Sequence, residues 1–302
     1  MFNSNTNPMI RRYLLIALIL FSLVNLVYAQ GLLDELEQQQ DSAEVVQLSM
    51  ATFKGTRLIN GHTNETQGAG ELNFLISHRF GRINGGLYEL FGLDQANIRL
   101  ALEYGLTDRF MVGLGRSSFE KVLDGFLKYQ ILKQQSGKRQ IPVSVTAFTS
   151  IAVNTLRSDN PERKMPFTGR LDYSYQLLIA RKFNSRMSLQ LMPTLVHRNL
   201  VSGTDINNDL MALGFGGRYK LTNRISLNLE YYYKVNAGAE QDQYYNPLAI
   251  GIDIETGGHV FQLHFTNARA MIEEGFITET NGNFFSGDIH FGFNISRVFQ
   301  LR

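Results

Sequence analysis

The sequence predicts an all-β fold: a transmembrane antiparallel up-and-down β-barrel of about twelve strands, following a cleaved N-terminal signal peptide. Three observations predict it. Apolar and polar residues alternate with period two through one segment after another. The connections between these segments alternate between short and long. Only one long apolar run exists, at the N-terminus, which excludes a bundle of membrane-spanning helices.

Taken in order, the chain begins with a targeting layout. Arg11 and Arg12 form a basic region, Tyr13 to Leu26 an apolar one, and Val27-Tyr28-Ala29 a small-residue cleavage site. Residues 1–29 are therefore expected to be a signal peptide. Residues 30–69 are expected to be a periplasmic N-terminal segment, and residues 70–302 the barrel. Strands are expected near 70–80, 96–105, 110–117, 122–133, 141–153, 169–182, 187–197, 209–220, 225–234, 247–255, 259–267 and 287–297. Ile225, Leu227, Leu229, Tyr231 and Tyr233 illustrate the pattern, alternating with Ser226, Asn228, Glu230, Tyr232 and Lys234. One face of each strand is hydrocarbon; the other is small, polar or charged.

Five connections are short (106–109, 134–140, 183–186, 221–224, 256–258) and five are long (81–95, 154–168, 198–208, 235–246, 268–286). The link at 118–121 is a short exception on the long-loop side. Leu106-Thr-Asp-Arg-Phe110, Phe183-Asn-Ser-Arg-Met187 and Leu221-Thr-Asn-Arg-Ile225 repeat one hairpin unit with a three-residue loop. An even strand count puts both barrel ends on the short-turn side. Tyr104, Tyr129 and Tyr219 at one rim, and Tyr173, Tyr175, Tyr231 and Tyr233 at the other, supply two aromatic girdles. Pro193 falls inside the seventh strand and cannot donate a ladder bond, so a local bulge is expected there.

Composition narrows the function classes. The 302 residues are 44% hydrophobic and 11% aromatic, too apolar for a disordered chain, and include no cysteine. That excludes a disulfide scaffold, a cysteine-ligated metal and a thiol nucleophile. Without residues 1–29, which hold two arginines and no acid, 27 basic and 27 acidic residues remain. Nucleic acid is therefore not an expected partner.

A family resemblance follows from three stretches: Thr52 to His62 (TFKGTRLINGH), Ile76 to Arg82 (ISHRFGR) and Tyr88 to Gln95 (YELFGLDQ). They resemble an uncharacterised family, a domain of unknown function, of bacterial outer-membrane-type β-barrels, over roughly residues 50–302. The resemblance implies a barrel in the cell outer membrane and supplies no activity. Phe291, Phe293 and Phe299 also resemble the terminal strand that barrel-insertion machinery reads, although the chain ends Leu301-Arg302.

Parity places the candidate lumen residues. Arg99, Glu103, Asp124, Lys128, Arg170, Asp172, Arg218, Lys220, Glu230, Lys234 and Asp253 point inward, with Glu71, Arg79 and Glu255. Balanced signs favour salt-bridged networks that partly fill a modest barrel over an ion-selective pore. His264 and His290 are the weak metal candidates, expected opposite each other with Asp288 nearby; two histidines alone make a poor site. His62 and His197 read as rim or loop residues. A barrel-embedded lipid hydrolase would need a serine beside a histidine near the lipid face. The outward histidines, His78 and His259, have no outward serine partner, so no catalytic residue and no cofactor are expected. The apolar segments 85–95 and 268–276 are expected to fold over or into the mouth.

The expected function is non-enzymatic and porin-like: a narrow channel for small polar solutes, or a structural scaffold in an envelope complex docking through the long loops. The expected partners are outer-membrane lipid, the insertion machinery and such a complex. A barrel-embedded hydrolase and a soluble periplasmic β-sheet binding protein are the alternatives.

Overall fold

The computed structural model describes residues 46–137, 139–157, 166–201, 206–238, 243–256 and 259–301. The expected signal peptide lies outside them. The chain divides into a barrel unit, Leu48–Gln135 with Ile141–Arg302, and a remainder, Met1–Gln47 with Ser136–Gln140, that lies mostly outside the described residues.

The barrel strands are β1 (Glu71–Arg82), β2 (Ala96–Thr107), β3 (Phe110–Ser117), β4 (Val122–Leu132), β5 (Ser144–Asn154) and β6 (Leu171–Lys182). They continue as β7 (Met187–Arg198), β8 (Asp209–Lys220), β9 (Ile225–Lys234), β10 (Leu248–Thr256), β11 (His259–Thr266) and β12 (His290–Gln300). Each pairs antiparallel with the next, and β12 returns to β1 with Gln300 opposite Glu71, so twelve strands close the sheet. Closure leaves no unpaired edge, which a sheet in hydrocarbon requires. No helix among the described residues is long and apolar enough to cross a membrane.

Period two becomes facing. Leu229 is 51% exposed on the outer wall while Glu230, beside it, is 1% exposed inside. Leu100, Leu102, Leu114, Ile250 and Phe265 are exposed in the same sense. Tyr129 and Tyr219 stand outward near the short-turn rim, Tyr175 and Tyr233 near the long-loop rim.

Two of the repeated hairpins close as expected. Phe183 donates its N–H to Met187 O and Leu221 to Ile225 O, both at 2.9 Å. The residue after each apolar one ties the loop: Asn184 Oδ1 accepts from the Arg186 and Met187 N–H groups, Thr222 Oγ1 from Arg224 and Ile225. In the first hairpin Thr107 does the same, but it pairs with Phe110 and leaves Leu106 as a bulged residue.

Pro193 makes no bulge. The β6–β7 register runs from Gln176 opposite Thr194 to Ile179 opposite Leu191 without a shift; only the pairs between them are missing. On its other side Pro193 still pairs with Leu213. The missing N–H therefore interrupts one ladder locally, and the register is held from both sides.

Candidate functional site

Of the expected periplasmic segment 30–69, residues 30–45 lie outside the described residues, and residues 49–69 are no lead-in below the barrel but enter the lumen. At the short-turn end Ser49 N–H bonds Gln134 O at 2.8 Å and Lys182 Nζ bonds Met50 O at 2.7 Å. The chain then rises into the barrel and reverses at 58–61, where Leu58 N–H meets Gly61 O at 2.9 Å. Thr63 N–H bonds Thr56 O, and Arg57 bridges His62. It leaves at the end where it entered, with Gly70 N–H on Gly105 O. There the two chains touch: a Cβ on Gly105 would lie 2.0 Å from Gly68 O, so only glycine fits.

This hairpin has polar backbone to satisfy and little sheet to satisfy it, so wall side chains supply the partners. The Glu230 carboxylate accepts the N–H groups of Ile59 (3.0 Å), Asn60 (3.1 Å) and Gly61 (3.1 Å). Asn294 donates to Ile59 O at 3.0 Å and Gln262 to Leu58 O. Gln190 both accepts from Asn64 N–H and donates to His62 O, each at 2.8 Å. Arg79 donates to Asn60 Oδ1 at 2.8 Å. His62 is therefore no rim residue. It is fully buried, its ring 4.5 Å from that of Phe126 and 4.4 Å from that of Phe148.

From the long-loop end the 268–286 connection folds inward, as its apolar residues lead one to expect. Ala268, Met271, Ile272, Phe276 and Ile277 are buried, and the short helix α1 (Glu273–Thr278) presents Phe276 to Tyr232 at 5.2 Å. The two intrusions meet at the Arg57–Glu273 ion pair, 3.2 Å long and almost fully buried. Beside it Glu274 receives the Ser150 hydroxyl.

Burial, then the neighbouring Glu273 carboxylate, push Glu274 on this loop up to about 8. Between the usual carboxyl range and that value the docked helix keeps a proton that an undocked one has lost. Docking is thus strongest at low pH and weakens as pH rises through about 8. Protease access to the 268–286 loop is expected to rise between pH 6 and pH 9, and Glu274→Gln to flatten that dependence.

The other lumen candidates fall into three groups. Arg99 makes a two-point pair with Asp124, and Arg218 bonds Glu255 at 2.7 Å and Ser226 at 3.1 Å. Glu103, Lys128 and Glu230 instead serve the hairpin: Glu103 accepts from Thr56 and Asn73, and Lys128 donates to Glu65 O. The expected wall-to-wall salt-bridge network is thus largely replaced by bonds to an inserted segment. Asp253 accepts from Gln262 at 2.7 Å, and Lys234 donates to Tyr244 O at 2.9 Å. Arg170 and Asp172 are half-buried at the long-loop rim and Lys220 at the short-turn rim.

His264 and His290 are not opposite each other. Gly292 faces His264, and Thr266 faces His290, leaving the histidines diagonal. Asp288 turns to Arg82 and Asn84. Among the described residues no cluster of three potential ligands could hold a metal ion.

The 85–95 loop meets its expectation in part. It borders the mouth through Gly85, Glu89 and Gln95 but does not enter the lumen: Leu87, Tyr88, Leu90 and Phe91 are exposed, and Leu90 and Phe91 adopt left-handed backbone.

Two vestibules result. One of about 490 Å³ opens at the long-loop end, lined by Arg82, Glu89, Phe119, Arg269 and His290 among others. One of about 580 Å³ opens at the short-turn end between Phe53, Glu65, Arg224 and His259. The second continues past Gly55 and Thr56 into a space of only about 20 Å³. The hairpin and α1 form the septum between the ends.

The model of the family described as "Membrane bound beta barrel domain (DUF5777)" matches residues 53–299. The match takes in the lumen hairpin as well as the strands. Three solved structures are among those to which the chain is similar. A KdgM porin is 8% identical with a TM-score of 0.45, covering 76% of this chain and 99% of the porin. The COG4313 outer membrane channel from Pseudomonas putida F1 is 14% identical with a TM-score of 0.41, covering 78% and 98%. Outer membrane phospholipase A from Escherichia coli is 12% identical with a TM-score of 0.40, covering 75% and 92%. The curated proteins yield no match.

Proposed function

This chain belongs to the DUF5777 family of membrane-bound β-barrel domains, and from that premise we propose that it is an outer-membrane channel for small polar solutes, held closed by its own N-terminal segment. The observation that carries the proposal is how the hairpin is seated. Its backbone bonds to Glu230, Asn294, Gln262 and Gln190 are bonds that water can replace. Such a plug can leave, whereas a hydrophobic core cannot do so cheaply. A vestibule at each end and a septum between them suit a gate.

We read the role as non-enzymatic; the outward His78 packs against Phe80 and Phe293, and His259 stacks on Phe261. The outer face suits outer-membrane lipid, and the aromatic last strand suits the insertion machinery. The exposed Leu87, Tyr88, Leu90 and Phe91 favour a second reading, a scaffold that docks an envelope-complex partner through this loop.

Recording single channels from refolded protein in planar bilayers tests both. The wild type is expected to open rarely. Arg57→Ala leaves Glu273 buried without its partner, a change worth about 3–5 kcal/mol, and should raise the open probability at least tenfold. Silence from both proteins, in barrels that still migrate by heating on gels, would discard the channel and favour the scaffold.

A further inference from the structure

The vestibule at the long-loop end holds polar groups that the fold does not use. His290 is 3% exposed; its Nδ1 lies 2.8 Å from Phe80 O, while Nε2 is buried with no partner. A carbonyl can only accept, so Nδ1 carries the proton and Nε2 of the neutral ring is a lone pair seeking a donor. Glu89 lines the same cavity and, among the described residues, forms no hydrogen bond or ion pair. Arg269 lies over the Phe119 ring, 4.8 Å from its centroid, close enough to Glu120 to attract its carboxylate, and makes no hydrogen bond. The neighbouring Arg82, by contrast, is committed to Asp288 and Asn281.

An acid and a cation without a hydrogen bond thus line a space of about 490 Å³, and the Nε2 lone pair of His290 lies just beneath its wall. Opposite charges on one small ligand satisfy the two exposed groups: an ammonium to Glu89, a carboxylate to Arg269. A sphere of this volume is about 10 Å across, the length of roughly three extended residues. We propose that this vestibule binds zwitterionic peptides of two or three residues. The inference rests on the channel reading for its physiological sense, as the site would load the mouth of the channel.

Isothermal titration of the refolded full-length barrel in detergent tests it, with trialanine, N-acetyl-trialanine amide and sucrose as probes. Trialanine is expected to bind. Capping both its ends should weaken binding at least tenfold, and sucrose should give no heat. Glu89→Gln and Arg269→Gln should each cost trialanine about tenfold, from charge-assisted bonds lost. Heat-dependent migration on gels checks that each variant is folded. Equal binding of capped and free peptide, binding of sucrose alone, or no heat from trialanine would overturn the proposal. The same preparation in bilayers separates it from the channel reading. Current without trialanine binding removes the site and leaves the channel, while binding without current removes the channel and leaves the site.

Discussion

Removing residues 52–66 is expected to turn a barrel that seldom opens into one that conducts continuously. Among the described residues the hairpin supplies every hydrogen bond to the Glu230 carboxylate and to the Lys128 ammonium, and it satisfies part of Glu103 and Arg79. With it gone, these buried charges face each other across an empty space. Stranded charge in a low dielectric costs several kcal/mol per ion, so water must enter to solvate it. A hydrated lumen lined by both signs passes small ions with little preference between them. Mean current at fixed voltage should rise by at least about an order of magnitude, with weak anion–cation selectivity. An unchanged current from a folded deletion barrel would mean that the 268–286 loop closes the lumen alone.

The second large effect concerns the outer wall. Leu229→Arg should destabilise the barrel by about 2–4 kcal/mol in a lipid bilayer, because Leu229 sits near the middle of β9, opposite Gly217 and Ile250, with its side chain outward. Leu106→Arg, on the bulged residue at the short-turn rim, should cost only about 0–1 kcal/mol, since the guanidinium there reaches the interface. Denaturant titrations of both variants in liposomes provide the comparison. Equal costs at the two positions would show that the β9 midpoint does not lie in hydrocarbon.

The strands were readable because a closed barrel in lipid enforces the simplest pattern in protein chemistry. Leu227, Leu229 and Tyr231 face outward and are apolar, while Ser226, Asn228 and Glu230 face the lumen; the order relaxes where the lumen is itself packed, at Phe126, Phe148, Leu178, Met192 and Leu210. The turns were readable because Asn184 and Thr222 bond locally. The hairpin was not, because its residues are held by long-range contacts that leave no periodic trace: Ile59 meets Glu230, 171 residues away. His62, between Gly61 and Thr63, looks like a loop residue until Phe126 and Phe148 are brought around it. One local signal did exist. Gly216 faces inward on β8, and a Cβ there would lie 2.4 Å from Leu58. An inward glycine is space reserved for something, and in a plugged barrel that something is the chain itself. The 268–286 loop betrayed its position through Met271, Ile272 and Phe276, which water would not tolerate in an idle loop. The 85–95 loop has similar composition, yet it borders the mouth with Glu89 and leaves Leu87, Tyr88, Leu90 and Phe91 exposed.

The Arg57–Glu273 contact joins residues 216 positions apart, and the β1–β12 seam joins Glu71 to Gln300. These are nearly the longest loops this chain can close, and their entropy must be met before either contact contributes. The hairpin precedes β1, so it is synthesised first, yet its partners on β9, β11 and β12 arrive last. Both arms of the hairpin meet the wall at the short-turn end, at Gln134 and at Gly105, so it can be seated after the sheet has closed. Closing the sheet and sealing the lumen are therefore separate events, and in a gate only the second has to be reversible.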